Sequence, residues 1–374
     1  MRIAVDATSL LLPSAGVKTY LYYWLSALLH ASADRGDAVV SYTPGIPVPE
    51  VLDHQASAAG SIETQLRLRI VQMVNAVSLR RNPLLDLFLL GSDLFHCSQH
   101  TGSLPRGKKN TATIFDLSCW ITPEYHTRRN IAATRRYGEK ILTACDGLIA
   151  ISEHTRQDAA AILGIPLARI QVIYPGVADA FFEVNDQRSS EIKARYRLAK
   201  RYMLFVGCIE PRKNVPAVVS AYRRLPESLR TEVHLVLAGT LGWESDEVRT
   251  LLGRSGRTVR HLGYVPEPDL PGLVRGAEML VYPSFYEGFG LPVAQAMAAG
   301  TPVITSNRSS LPEIAGGAAI CIDPGSVEEL STAMERLLAC PEIRCALAAR
   351  GRRRAEKFRW SAAASQSLDF FHQC

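Results

Sequence analysis

A chain of 374 residues exceeds what one ordinary hydrophobic core organises and points to two domains. With 47% apolar and 21% charged residues, its composition is that of a globular enzyme and excludes a disordered or low-complexity chain. A net charge of +6 suits anionic substrates or an acidic membrane face and is too small to argue for nucleic acid.

None of the eight cysteines forms a Cys-x-x-Cys pair or clusters with histidine at metal-ligand spacing. Several sit in apolar runs, which reads as a reducing compartment with no disulfide framework and no metal site. The N-terminus reads as a strand rather than a signal peptide, and no apolar run approaches membrane-spanning length. The expectation is a cytoplasmic protein, able to touch the inner face of a membrane peripherally.

Residues 2–6 read as the first strand. A loop over 10–17 holds Pro13, Ser14 and Gly16, and a helix follows over 17–30, with Tyr20, Trp24, Leu25, Leu28 and Leu29 near helical spacing. Strand, Gly-containing loop and helix open a doubly wound sheet. Residues 39–42 read as a strand, 43–59 as a proline-rich irregular stretch, and 65–79 as an amphipathic helix decorated by Arg67, Arg69, Arg80 and Arg81. A solvated basic face is the default reading there; contact with an anionic bilayer or a polyprenyl diphosphate is the sharper one. Residues 94–97 and 111–115 read as strands, the second ending in Phe115-Asp116-Leu117-Ser118. A helix with five cations spans 128–143, and again a solvated face is the default. A strand over 147–152 leads to a helix over 153–163 that Ser152 can cap. The strand over 170–174 ends at Pro175-Gly176, and 177–197 reads as a linker.

The pattern then restarts. A strand over 202–206 runs into Gly207-Cys208-Ile209-Glu210-Pro211-Arg212-Lys213-Asn214, opening a helix near Val215. Arg212 and Lys213 at a helix start suit a diphosphate: Arg offers a planar fork, Lys a mobile point charge, and the free N–H groups add to both. Strands over 233–238 and 258–262 follow, the latter leading to Gly263-Tyr264-Val265-Pro266. An apolar run over 277–282 ends at Pro283 and enters a turn with one carboxylate, Glu287. A short helix starts near Leu291, with Pro292 inside its start and Gly300 past its end. Gly288 and Gly290 let the backbone approach a ligand, and the helix start favours an anion. Strands over 303–306 and 319–323, helices over 327–338 and 342–358, and a helical tail over 360–371 complete the chain. Neither half carries Gly-x-Gly-x-x-Gly, a Walker loop or Gly-x-Ser-x-Gly, which weakens a dinucleotide reading.

The stretch 282–302 closely resembles the donor-sugar motif of glycosyltransferase family 4, a retaining GT-B family: Glu, seven residues, Glu, with Gly-Phe-Gly-Leu-Pro between. The first Glu is Glu287; the second position holds Gln295. The resemblance covers nearly the whole chain. It implies an α/β GT-B fold of two Rossmann-like doubly wound domains facing a central cleft. An acceptor-side domain would span 1–176, with the terminal helix 360–374 packing back on it, and a nucleotide-sugar domain 177–359. Gly16 takes the place of the family's glycine loop near the donor diphosphate. The position of a usual histidine holds Phe115. Asp116 matches the family and either orients the acceptor or bonds amides of its own turn. Lys213 matches the family lysine, and Arg212 stands in for an Arg that relatives carry at the Cys208 position. Tyr264 and Val265 lie along the base, and Glu287 holds sugar hydroxyls. Gly288, Phe289, Gly290 and Leu291 present amides, and Gln295 faces the ribose.

The activity implied is retaining transfer of a hexose from a GDP- or UDP-linked sugar to a hydroxyl of a saccharide or lipid-linked saccharide. Surface polysaccharide or glycoconjugate synthesis is the context, and GDP-mannose the favoured donor. Glu287, Lys213, Arg212 and Asp116 form the implied catalytic set, with no cofactor beyond the donor and no metal. Phe115 and Gln295 keep a non-catalytic GT-B subunit or regulator as an alternative. A nucleotide-sugar hydrolase or epimerase, leaning on Glu287 with Asp116, is the third.

Overall fold

The structure, a computed structural model, describes residues 1–11, 16–41, 69, 83–242, 246–253 and 256–374. The expected irregular stretch over 43–59 and, apart from Arg69, the basic helix over 65–79 lie outside the described residues. The chain forms two compact units, Met1–Gly176 with Trp360–Cys374, and Val177–Arg359.

The first unit is built on β1 (Arg2–Val5), β2 (Ala38–Ser41), β3 (Leu94–Cys97), β4 (Lys109–Ile114), β5 (Gly147–Ala150) and β6 (Ile170–Val172), in the order β2-β1-β3-β4-β5-β6. Every pairing is parallel, so helices must cover both faces, and the central strands β3 and β5 are buried along their whole length. The helix Gly16–Arg35 packs on the terminal helix Trp360–Gln373, where Trp24 Nε1 donates to Ser367 Oγ at 3.0 Å. That partner explains why the first helix runs five residues past its expected end at 30. Arg35 in the added turn and a half bonds Asp369 at 2.5 Å and Ser365 at 2.6 Å. Ser152 caps the helix Glu153–Leu163, its Oγ accepting from Thr155 N at 3.0 Å.

The second unit is built on β7 (Arg201–Val206), β8 (Val233–Ala238), β9 (Val259–Gly263), β10 (Met279–Tyr282), β11 (Val303–Ser306) and β12 (Ile320–Ile322). Their order is β12-β11-β10-β7-β8-β9, again all parallel. The chain winds outward from β7 to β9, then returns to the other side of β7 and winds out to β12. The reversal falls between β7 and β10, where open α/β sheets leave a crevice beyond the strand ends. The segment expected as a linker is instead two short helices, Asp179–Glu183 and Asp186–Arg195. The first buries Phe181 and the second Ile192, and charge pins the second further. Arg188 (3.1 Å), Arg195 (2.6 Å) and the Tyr196 hydroxyl (2.9 Å) converge on the buried carboxylate of Asp269.

His96 on β3 lies in the core of the first unit, with its ring nitrogens on Thr111 Oγ1 at 3.0 Å and Thr113 Oγ1 at 3.1 Å. Trp24 and Phe371 flank the ring at 4.9 and 5.4 Å. Burial pushes its pKa down to about 3. The unfolded chain therefore binds a proton that the fold refuses, and stability falls as pH drops from about 6.5 toward 3. His96→Gln should remove this component. Between pH 7.5 and pH 4.5 wild type should lose about 2–3 kcal/mol more unfolding free energy than the variant, as read by urea titration.

Candidate functional site

Because β7 pairs with β10, the loops that leave their C-terminal ends lie side by side. The β7 loop also runs close under the β8 loop: a Cβ on Gly239 (φ 145°) would stand 1.9 Å from Gly207 O, a contact only glycine allows. The loop then tightens into a 3-10 turn, Pro211–Lys213, and Asn214 turns the chain into the helix Val215–Arg224 through a left-handed conformation (φ 57°). The Asn214 side chain holds that turn by donating to Pro324 O at 2.7 Å. Arg212 and Lys213 are thereby aimed at the β10 loop.

There they meet Glu287. Lys213 Nζ stands 2.6 Å from Glu287 Oε1 and also donates to the Tyr282 hydroxyl, which in turn donates to Oε1 at 2.9 Å. Arg212 Nη1 lies 3.2 Å from the same oxygen and donates to Tyr286 O, while Nη2 reaches Glu210 Oε1 at 2.7 Å. The backbone is stitched as well, with Arg212 O accepting from Phe285 N at 2.9 Å and from Ser284 Oγ at 3.0 Å. From the other side the turn after β11 holds the Glu287 peptide. Glu287 N donates to Ser309 Oγ at 3.0 Å, and Ser310 Oγ donates to Glu287 O at 2.8 Å. Ser309 adopts a left-handed backbone (φ 53°) to do so, local strain of the kind that clusters at functional sites.

Electrostatically this is a nearly dry quartet of two cations and two carboxylates. The side chains of Arg212, Lys213 and Glu287 are 11%, 12% and 10% exposed, and that of Glu210 is 22%. Burial alone would raise the Glu287 pKa; the charges of Arg212 and Lys213 outweigh it and hold it at about 2. Burial, reinforced by the Glu287 charge, pushes the Tyr282 phenol well up. The site therefore holds a carboxylate beside two basic side chains and a neutral hydroxyl.

Gly288, Phe289 and Gly290 are buried and Leu291 is half-buried. Gly290 (φ 94°) caps the helix Leu291–Ala298, and a Cβ on it would meet Leu311 Cδ2 at 2.5 Å. The Phe289 ring packs edge-on against Phe358 at 5.3 Å, so only its backbone faces the turn. Gln295 lies on that helix, 7% exposed. Val265 is buried and Tyr264 half-buried just after β9, whose last residue accepts from Gly239 N at 2.7 Å.

Gly16 and Asp116 belong to the first unit. Gly16 is the exposed first residue of its helix, with no atom within 4 Å of where a Cβ would stand. Asp116 Oδ1 accepts from Ser118 N at 3.0 Å and Ser118 Oγ at 2.7 Å, the turn-bonding arrangement among its two readings. Phe115 stands edge-on to Tyr20 at 5.0 Å. Three residues at the site escaped sequence reasoning in these roles: Tyr282, Glu210 and Ser309. The signals were present as a tyrosine at the last position of a buried strand, an acid two before Arg212, and paired serines before Leu311-Pro312. Among the described residues no group of three or more His, Cys, Asp or Glu is placed to hold a metal, and no helix is long and apolar enough to cross a membrane.

Residues 15–181 match the model of Glycosyltransferase Family 4, and residues 187–354 that of Glycosyl transferases group 1. The chain is 34% identical over 272 residues to O-antigen chain mannosyltransferase B of Escherichia coli, 72% of this chain and 71% of that protein. Sucrose-phosphate synthase from Thermosynechococcus elongatus superposes with a TM-score of 0.72 at 22% identity, covering 100% of this chain and 98% of that one. Anabaena Alr3699/HepE, solved in complex with UDP-glucose, superposes at 0.72 with 16% identity, over 100% and 99% of the two chains. These likenesses show the GT-B fold.

Removing the Glu287 charge leaves two nearly buried cations with only the Glu210 carboxylate to balance them. Glu287→Gln should lower the unfolding free energy at pH 7 by about 3 kcal/mol. Because the folded pKa lies below the unfolded value of 4.5, this contribution is complete above about pH 4.5 and fades as pH falls toward 2. The gap between wild type and variant in denaturant titrations should close over that window.

Proposed function

The chain belongs to glycosyltransferase family 4, the retaining GT-B transferases, and on that premise we propose that it moves mannose from a nucleoside diphosphate donor to a hydroxyl of a surface polysaccharide or lipid-linked saccharide. One observation carries the reading: Arg212, Lys213 and Glu287 meet at the switch point of the second sheet, where phosphate-binding charge and a sugar-binding carboxylate can address one small molecule. The O-antigen relative supports mannose as the sugar and a polysaccharide as the destination.

In the proposed reaction the acceptor oxygen attacks the anomeric carbon on the face the diphosphate is leaving. The C–O bond to phosphate breaks as the new C–O bond forms, and the hydroxyl proton passes to the departing phosphate oxygen. No protein base is needed, which accommodates Phe115 at the usual histidine position. Arg212 and Lys213 stabilise the charge that grows on the diphosphate, with the amides of Gly288, Phe289, Gly290 and Leu291 adding to them. Glu287 Oε1 accepts from Lys213 and Tyr282 with Arg212 beside it, which holds the carboxylate in place for sugar hydroxyls. Gln295 faces the ribose with an amide that can both donate and accept, and Tyr264 and Val265 line the base. By the family resemblance Gly16 is assigned to the donor diphosphate and Asp116 to the acceptor. We place the enzyme in the cytoplasm, with peripheral contact at the inner face of the membrane.

The test is thermal-shift and turnover against a panel of GDP- and UDP-linked sugars. GDP-mannose should give the largest stabilisation and be transferred with retention at the anomeric carbon, and transfer should survive EDTA because the cations are the protein's own. Turnover only by another donor removes the mannose assignment; hydrolysis without transfer, or no turnover, supports the alternative classes. Gln295→Glu restores a charged ribose acceptor and should tighten donor binding by about three- to tenfold, measured by calorimetry. Markedly weaker binding would contradict the placement of Gln295 at the ribose.

A further inference from the structure

The two ends of the Arg212 guanidinium are held differently. Nη1 is tied to Tyr286 O and to Glu287, inside a turn whose peptide is clamped by Ser309 and Ser310. Nη2 donates to Glu210 Oε1 at 2.7 Å, and Glu210 is the most exposed of the four charged groups, at 22%. Glu210 stands at the start of the Pro211–Lys213 turn in an extended conformation, and its backbone carbonyl accepts from Lys213 N at 3.0 Å. The loop is therefore held by its backbone whether or not the carboxylate stays on Arg212. With Glu210 in place the charges of the site sum to zero, so an incoming diphosphate meets a neutral quartet rather than a positive one.

We propose that Glu210 is an internal stand-in for the donor's phosphate. Its carboxylate occupies Arg212 Nη2 in the empty site, yields that nitrogen when the nucleoside diphosphate sugar enters, and retakes it as the nucleoside diphosphate leaves. This rests on the reading of Arg212 and Lys213 as the diphosphate contacts. A carboxylate that competes for the guanidinium weakens binding of substrate and product alike, and it speeds product release because the departing diphosphate is replaced at once. The cost of stripping a buried guanidinium of its partner is avoided in both states. Glu210 thus acts through Arg212 as a positioning residue and touches neither the sugar nor the acceptor.

Calorimetry with GDP and with UDP on wild type, Glu210→Gln and Glu210→Ala tests this. Gln keeps the shape and an acceptor oxygen but removes the competing charge. Glu210→Gln should bind the preferred diphosphate about tenfold tighter, with a steeper loss of affinity in salt. In turnover KM should fall and kcat should fall with it, because release slows while the bond-making step is untouched. A strut that merely braces Arg212 makes the opposite prediction, weaker diphosphate binding and a lower melting temperature in both variants. That result, unchanged affinity, or failure of both variants to fold overturns the stand-in role. If wild type itself binds neither GDP nor UDP, the donor-site reading fails first and this inference falls with it.

Discussion

The second unit is organised by one buried electrostatic balance: the Glu287 carboxylate facing Arg212 and Lys213 where solvent scarcely enters. Taking a carboxylate or a cation out of water costs several kcal/mol unless a partner and further hydrogen bonds compensate it. Here every charge has a partner, and Tyr282, the Tyr286 carbonyl and Glu210 complete the set. The balance also fixes backbone, since the loops after β7, β10 and β11 all close on Glu287 or Arg212. A quartet this dry pulls three connections into one rigid corner before any ligand arrives, which is the preorganisation that stabilising a developing diphosphate charge requires.

Topology explains why the corner forms where it does. In both sheets the strand order reverses once, beside β1 in the first and beside β7 in the second. Each reversal separates neighbouring loops and would leave a gap, and each gap holds a buried acid. In the first unit that acid is Asp6, after β1, and its donors are neutral: Thr8 N at 3.0 Å, Ser98 Oγ at 2.9 Å and Thr101 Oγ1 at 2.6 Å. In the second unit the donors are cations. The contrast in chemistry follows from the partners. Hydroxyls and an amide satisfy Asp6 and join the loops after β1 and β3. Arg212 and Lys213 carry charge that a stronger anion can redirect.

Much of this was legible in the sequence, for identifiable reasons. Buried parallel strands are short, mostly apolar runs, and those over 94–97, 233–238 and 303–306 stand where that pattern put them. The turn at Glu287 was legible because glycines, an acid and a proline-started helix sit at fixed offsets. The helices in 177–197 were not, because the first buries only Phe181 among the residues of its span, and the second is held by three side chains converging on Asp269, a contact with no period. The same reason hid Glu210 and Tyr282. Periodicity reports which face of an element is buried, but says nothing of which polar groups from distant segments meet there. Ser309 was hidden differently, since its left-handed backbone is imposed by the Glu287 peptide it serves and not by any preference of serine.

On the proposed reading, a site whose own charges sum to zero changes what recognition means. A positively charged pocket would attract any polyphosphate, and affinity would follow ligand charge alone. Here an anion must replace existing contacts on Arg212 and Lys213, so binding is an exchange and the gain is the difference between two sets of hydrogen bonds. Simple phosphates compete poorly in such an exchange, since the carboxylates already supply comparable oxygens at no loss of translational freedom. On the proposed reading a nucleotide sugar brings further contacts to the same event: sugar hydroxyls for Glu287, and a base and ribose for the loops beyond β9 and along the helix Leu291–Ala298. Selectivity then resides in the parts of the donor remote from the phosphates, while the charged corner supplies its stabilisation mainly when the diphosphate acquires extra charge in departing.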